Sequence, residues 1–122
     1  MDSHGYLDFK WFNDILYVKA FGPFNDEGSI EAAKAYIDVI SNRSCVNYSV
    51  VEILTHESLG SPNTMKEVTK VWTFLGDNGC TSLAIIHSNA IQSTLAEKFI
   101  PKFGKVFNKL ESAERWIGSR SA

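Results

Sequence analysis

The chain has little of what staples or punctuates a small protein. Its two cysteines, Cys45 and Cys80, among 122 residues are too few for a disulfide framework and read as free thiols of a reducing compartment. Three prolines, eight glycines and no low-complexity run exclude a linker or a disordered chain. No apolar stretch approaches the roughly 20 residues that span a bilayer. The first six residues, Met-Asp-Ser-His-Gly-Tyr, have neither the cationic start nor the apolar stretch of a signal peptide, which predicts a cytoplasmic protein. A large excess of one charge sign is missing too. Twelve basic against 14 acidic residues leave −2, which argues against a nucleic-acid partner. What remains is 44% hydrophobic, enough for one domain, 1–122, with a sizeable core.

Periodicity then divides the chain. Leu7, Phe9 and Trp11 alternate with Asp8 and Lys10, the period of a half-buried strand. Asn13-Asp14 breaks this run, and Ile15 to Phe21 follows as the second arm of an antiparallel hairpin. From Asp26, with Asn25 or Asp26 as cap, Ile30, Ala33, Ile37 and Ile40 recur at helical spacing. Tyr48 to Leu54 is a short β-branched run suited to a central strand. Ser61-Pro62 opens a second helix, since serine caps and proline at the first position loses no bond. Its apolar stripe is Met65, Val68, Trp72 and Leu75, and Asp77-Asn78-Gly79 ends it. Ser82 to His87 predicts another buried strand. Asn89 and Gln92 stand at capping-box spacing before Ile91, Leu95 and Phe99, and Pro101 stops that third helix. Lys105 to Phe107 fits an edge strand, and Leu110, Ala113 and Ile117, beside Trp116, a final helix. Residues 1–5 and 118–122 are expected to be loose. The predicted fold is α/β, β-β-α-β-α-β-α-β-α: a mixed five-stranded sheet, hairpin first and parallel strands after, with helices packed on it.

That order resembles the SpoIIAA-like (STAS-like) domain family over nearly the whole chain, from about Leu7 to Gly118. The closing segment Lys105-Val106-Phe107-Asn108-Lys109-Leu110-Glu111-Ser112-Ala113-Glu114-Arg115-Trp116-Ile117 looks like the end of such a domain. The hairpin around Asn13-Asp14, running into Phe21-Gly22-Pro23-Phe24, is similar to its opening. The resemblance implies sequential strand order from the second strand to the fifth. It also implies a small regulatory or interaction domain rather than an enzyme, some relatives holding apolar or lipid-like ligands. One departure matters. Anti-sigma-factor antagonists of the family carry a phosphorylatable serine in an Asp-Ser-Ser-Gly-like turn, whereas here the stretch reads Thr55-His56-Glu57-Ser58-Leu59-Gly60-Ser61-Pro62. Ser58 and Ser61 are the candidate phosphosites, because a helix start stabilises phosphate charge. The plainer alternative makes Ser61 a cap and leaves Ser58 in a solvated turn.

Ligands of open α/β sheets gather beyond the carboxyl ends of parallel strands. His56, Glu57 and Ser58 follow one such strand and His87, Ser88 and Asn89 the next, which makes this edge, with Ser61, the candidate ligand or partner surface. A general base beside a hydroxyl would need that proximity. No nucleophile elbow or glycine-rich phosphate loop accompanies it, so no catalytic residue is assigned. The three histidines have no metal-ligand spacing, and Cys45 and Cys80 precede strands at the opposite end of the sheet, so neither metal nor cofactor is expected. Lys98 to Lys109 interleaves lysine with aromatic residues, either as an anionic-membrane contact or as ordinary core positions under a solvated rim. Phe103 has the least structural reason to be apolar, and Trp11 on the hairpin could line a rim. Three functional expectations follow. The first is a non-catalytic regulatory or protein-interaction domain, with a protein partner or self-association through the hairpin edge or an apolar helix face. The second is a carrier or sensor of a small apolar ligand in a cavity lined by Met65, Trp72, Leu95 and Phe99. The third is a minor hydrolase or transferase at the His56/His87 edge.

Overall fold

A computed structural model describes residues 3–59 and 61–121. Strand β1 (Tyr6–Phe12) alternates exposed and half-buried residues and turns at Asn13-Asp14 into β2 (Ile15–Phe21). Asn13 takes φ 56°, a left-handed conformation that asparagine tolerates better than a branched residue. There follow α1 (Asp26–Ser41), β3 (Tyr48–Leu54), α2 (Pro62–Asp77), β4 (Cys80–Ile86), α3 (Ala90–Phe99), β5 (Gly104–Phe107) and α4 (Leu110–Ser121). The sheet order is β1-β2-β3-β4-β5. Only β1–β2 is antiparallel, and β2 through β5 pair in parallel. The expected α/β architecture is the observed one.

Side-chain caps set the helix starts. Asn25 accepts from the Gly28 N–H, Ser61 from Thr64 and Asn89 from Gln92, each bond worth about 1 kcal/mol. The strands β3 and β4 are buried on both sides, so alternate residues feed two cores. Leu16, Val18, Val50, Leu83 and Ile85 pack with Ala33, Tyr36, Ile40, Val71, Trp72 and Leu75 of α1 and α2. On the reverse face Val51, Ala84 and Ile86 meet Ala113 and Ile117 of α4. α4 covers β3, β4 and β5.

Several expected positions move. On α1 Ile30 is exposed and Ile37 half-buried; the buried stripe is Ser29, Ala33, Tyr36 and Ile40. On α3 the buried residues are Gln92 and Ala96, whereas Ile91 is 68% exposed. The polar bonds of Gln92 hold that face to the loops after β3 and β4, and the small Ala96 lets the helix approach the core. Leu110 is exposed, and α4 continues through the 118–120 stretch expected to be loose. Nor is the start of the chain free from residue 4 onward: His4 N donates to Asn25 Oδ1 at 2.9 Å and His4 O accepts from Asn25 N at 3.3 Å. Residues 1, 2 and 122 lie outside the described residues. Phe103 does have a structural role. It packs against the first core, and a Cβ at Gly76 would stand 2.7 Å from its ring. Trp11 likewise turns inward, edge-on to Tyr48 at 5.9 Å.

Candidate functional site

The carboxyl ends of β3 and β4 do bring the predicted edge together, and main-chain oxygens tie it. Asn89 Nδ2 donates to His56 O at 2.9 Å, and Gln92 Nε2 donates to Thr55 O at 2.6 Å and His56 O at 3.1 Å. Ser88 Oγ donates to Leu54 O, and Ser88 N donates to Gln92 Oε1 at 2.7 Å. Gln92, which sequence reasoning saw only as half of a capping box, laces the two loops. His56 and Glu57 are exposed in the turn and His87 is half-buried just past β4. No described residue bonds either imidazole, and His87 Nδ1 is buried without a partner.

The two serines separate. Ser61 is the exposed cap of α2. Ser58, expected in a solvated turn, is 2% exposed and donates to Ala20 O and Thr55 O, each at 2.8 Å. Burial against two carbonyls closes its hydroxyl to a modifying enzyme in this conformation. Among the described residues no group of three or more His, Cys, Asp or Glu could hold a metal. Burial pushes the Cys80 thiol up to about 12, far from a reactive thiolate.

The four expected cavity residues do not share one cavity. Met65, Leu95 and Phe99 line an open groove between α2 and α3, with Lys66 and Lys98 beside it. Phe99 is 37% exposed there, with the Lys98 ammonium 5.4 Å from its ring centroid. Trp72 faces the other way, toward α1, because its indole bonds to a group the sequence reading passed over.

That group is Glu52. It lies on β3 between Val51 and Ile53, on the face shared by Val50 and Leu54, and is 7% exposed. Tyr36 Oη donates to Glu52 Oε2 at 2.7 Å from α1, and Trp72 Nε1 donates to the same oxygen at 2.8 Å from α2. No described residue donates to Oε1. Burial raises the Glu52 carboxyl above its ordinary range; the two accepted bonds oppose that shift but do not cancel it. Burial, and then the adjacent Glu52, raise the Tyr36 hydroxyl well above its usual value, so it stays a donor. Because Oε2 already receives two donors, a proton on this carboxyl belongs on Oε1.

Glu52 forms part of the wall of a cavity of about 50 Å³ between α1, α2 and the sheet, whose apolar lining includes Leu7, Ala20, Ala33, Leu54, Val68 and Val71. The helices are joined over it by a 2.9 Å bond between the Ser29 and Thr64 hydroxyls. A water needs roughly 10–15 Å³ and benzene fills a cavity of about 150 Å³. The space therefore suits a fragment of a few heavy atoms rather than an acyl chain.

No family model matches the sequence, and no curated protein matches it. Solved structures do. The NMR structure of the protein TM1081 is 13% identical with TM-score 0.69, covering 90% of this chain and 86% of that one. The crystal structure of an uncharacterised DUF3478-family protein with a SpoIIAA-like fold from Shewanella loihica PV-4 is 16% identical with TM-score 0.61, covering 95% of both chains. At such identities the likeness speaks for the fold. No helix among the described residues is long and apolar enough to cross a membrane. Both likenesses extend over nearly the whole chain, and by fold it is a SpoIIAA-like domain.

Proposed function

We propose that the chain is a non-catalytic regulatory domain that senses a small neutral molecule through Glu52. The ligand has an apolar body and one carbonyl or hydroxyl oxygen, which the free side of the carboxyl engages. A single observation carries the reading: a buried carboxyl held on one oxygen by Tyr36 and Trp72, to whose other oxygen no described residue donates, in the wall of a largely apolar cavity. A largely apolar pocket with a few polar groups, one of them of perturbed acidity, is the usual form of a small-molecule site. Its volume supports a sensor of small molecules over a lipid carrier. Nothing comparable surrounds His56 or His87, which do not line this cavity.

The test follows the Trp72 indole N–H by NMR while isopropanol or acetone is added. A saturable shift in the wild type that disappears in Glu52→Leu supports the site. An indole signal that moves no more than those of Trp11 and Trp116 refutes it.

A second reading, a docking surface for a protein partner, draws on the α2–α3 groove. Its apolar residues Met65, Leu95 and Phe99 beside Lys66 and Lys98 suit an acidic amphipathic helix. Lys98→Glu should then weaken binding of an acidic amphipathic peptide.

A further inference from the structure

β1 is an edge strand whose outer side is unpaired among the described residues. Its hydrogen-bonding parity can be read from its neighbours. In β2 and the turn before it, Asp14 O accepts from Ser49 N and Ala20 O accepts from Thr55 N, so the even-numbered residues there address β3. The odd-numbered residues of β2 therefore address β1, where the register pairs them with Tyr6, Asp8, Lys10 and Phe12. Leu7, Phe9 and Trp11 are left with N–H and C=O groups pointing outward.

We infer that this edge pairs with the same edge of a second copy, β1 antiparallel to β1 about a two-fold axis at Phe9. Only odd-numbered residues can exchange bonds across the seam, which restricts the register. Centring the axis at Phe9 joins Phe9 to Phe9, and Leu7 to Trp11 of the second copy. Asp8 then lies opposite Lys10 of the second copy, twice, in the pairs whose side chains approach most closely. Shifting the register by two residues in either direction sets Asp8 against Asp8 or Lys10 against Lys10. Charge thus selects one register of three.

The aromatic residues agree. Tyr6 and Phe12 are the most exposed rings among the described residues, at 57% and 63%, and this register places them opposite each other at both ends of the seam. Tyr6 is already stacked on Phe21 at 4.8 Å, so its ring is held ready. A strand edge with its outer N–H and C=O groups left bare is a liability that proteins cover or pair, and an isologous interface suits a strand complementary to itself.

Analytical ultracentrifugation tests the pairing. Wild type is expected as a dimer, and Asp8→Lys and Lys10→Asp should each weaken it by about tenfold or more, as two attractive pairs become repulsive. An equimolar mixture of the two variants should form a mixed dimer, and the double variant D8K/K10D should dimerise like wild type. Both side chains are exposed, and circular dichroism of each variant verifies folding. A monomeric wild type, or an Asp8→Lys dimer as tight as wild type, overturns the inference.

Discussion

Tyr36 on α1 and Trp72 on α2 donate to the same oxygen of Glu52, at 2.7 and 2.8 Å. The buried carboxyl thereby joins α1, β3 and α2 at one atom. No cation among the described residues pairs with it. Its charge is therefore opposed by burial alone and supported by two neutral donors, which gives the protein a defined pH response.

The folded-state pKa of Glu52 is raised by burial above its ordinary 4.5. Between that value and the raised one the folded state holds a proton that the unfolded chain has released. Stability from this group is complete at pH below 4.5 and is lost as pH rises through the folded value. Glu52→Gln keeps an acceptor for both donors and cannot titrate. Urea midpoints measured from pH 4 to pH 9 should fall more steeply for wild type than for Glu52→Gln. Parallel curves would mean that Glu52 titrates alike in both states.

Tyr36→Phe removes one of the two donors and leaves the carboxyl more poorly solvated. The expected loss is about 1–3 kcal/mol at neutral pH and less under acid conditions, where the carboxyl is neutral. Trp72→Phe should behave alike, with an added packing loss. Since both bonds end on one atom, the double variant should depart from additivity, a result that urea unfolding of the four proteins would reveal.

The fold was legible in the sequence because local signals agreed. Asn13 at the hairpin, Asn25, Ser61 and Asn89 as caps, and the β-branched run before Leu54 all point to the elements observed. What escaped was set by tertiary contacts. Ile91 and Gln92 are neighbours on α3, and an apolar stripe selects Ile91. The amide of Gln92 nonetheless turns inward because Thr55 O and His56 O await it across the β3–α2 turn. Glu52 was hidden for the same reason. Within Val-Val-Glu-Ile-Leu a carboxylate reads as the solvated side of a strand, and only donors from residues 16 and 20 positions away make its burial tolerable. A lone glutamate inside an otherwise apolar central strand was the available signal.

Ser58 and Ser61 should answer a phosphate mimic in opposite ways. Ser61→Asp replaces one good cap by another and should change stability by no more than about 0.5 kcal/mol. Ser58→Asp puts a carboxylate against Ala20 O and Thr55 O in a buried site and should destabilise by roughly 3 kcal/mol or more. Ser58→Ala should lose only about 1 kcal/mol, since both carbonyls keep another donor. Thermal melts of the three variants check the ranking. A well-folded Ser58→Asp would show that this turn opens readily.

Gly76 lies in the last turn of α2, where alanine would ordinarily gain up to about 1 kcal/mol of helix propensity. Here the added methyl would meet the Phe103 ring, with Cε1 at 2.7 Å and Cζ at 3.1 Å. That ring is packed on the first core and can retreat only by disturbing its neighbours, so overpacking should outweigh propensity. Gly76→Ala is expected to destabilise by about 1–2 kcal/mol in the wild type, and to stabilise in a Phe103→Ala background, where the space is vacant. The change of sign, measured by urea unfolding around the double-mutant cycle, separates a packing role for Phe103 from a surface role. If Gly76→Ala stabilises both backgrounds equally, the ring is mobile and its contact with α2 contributes little.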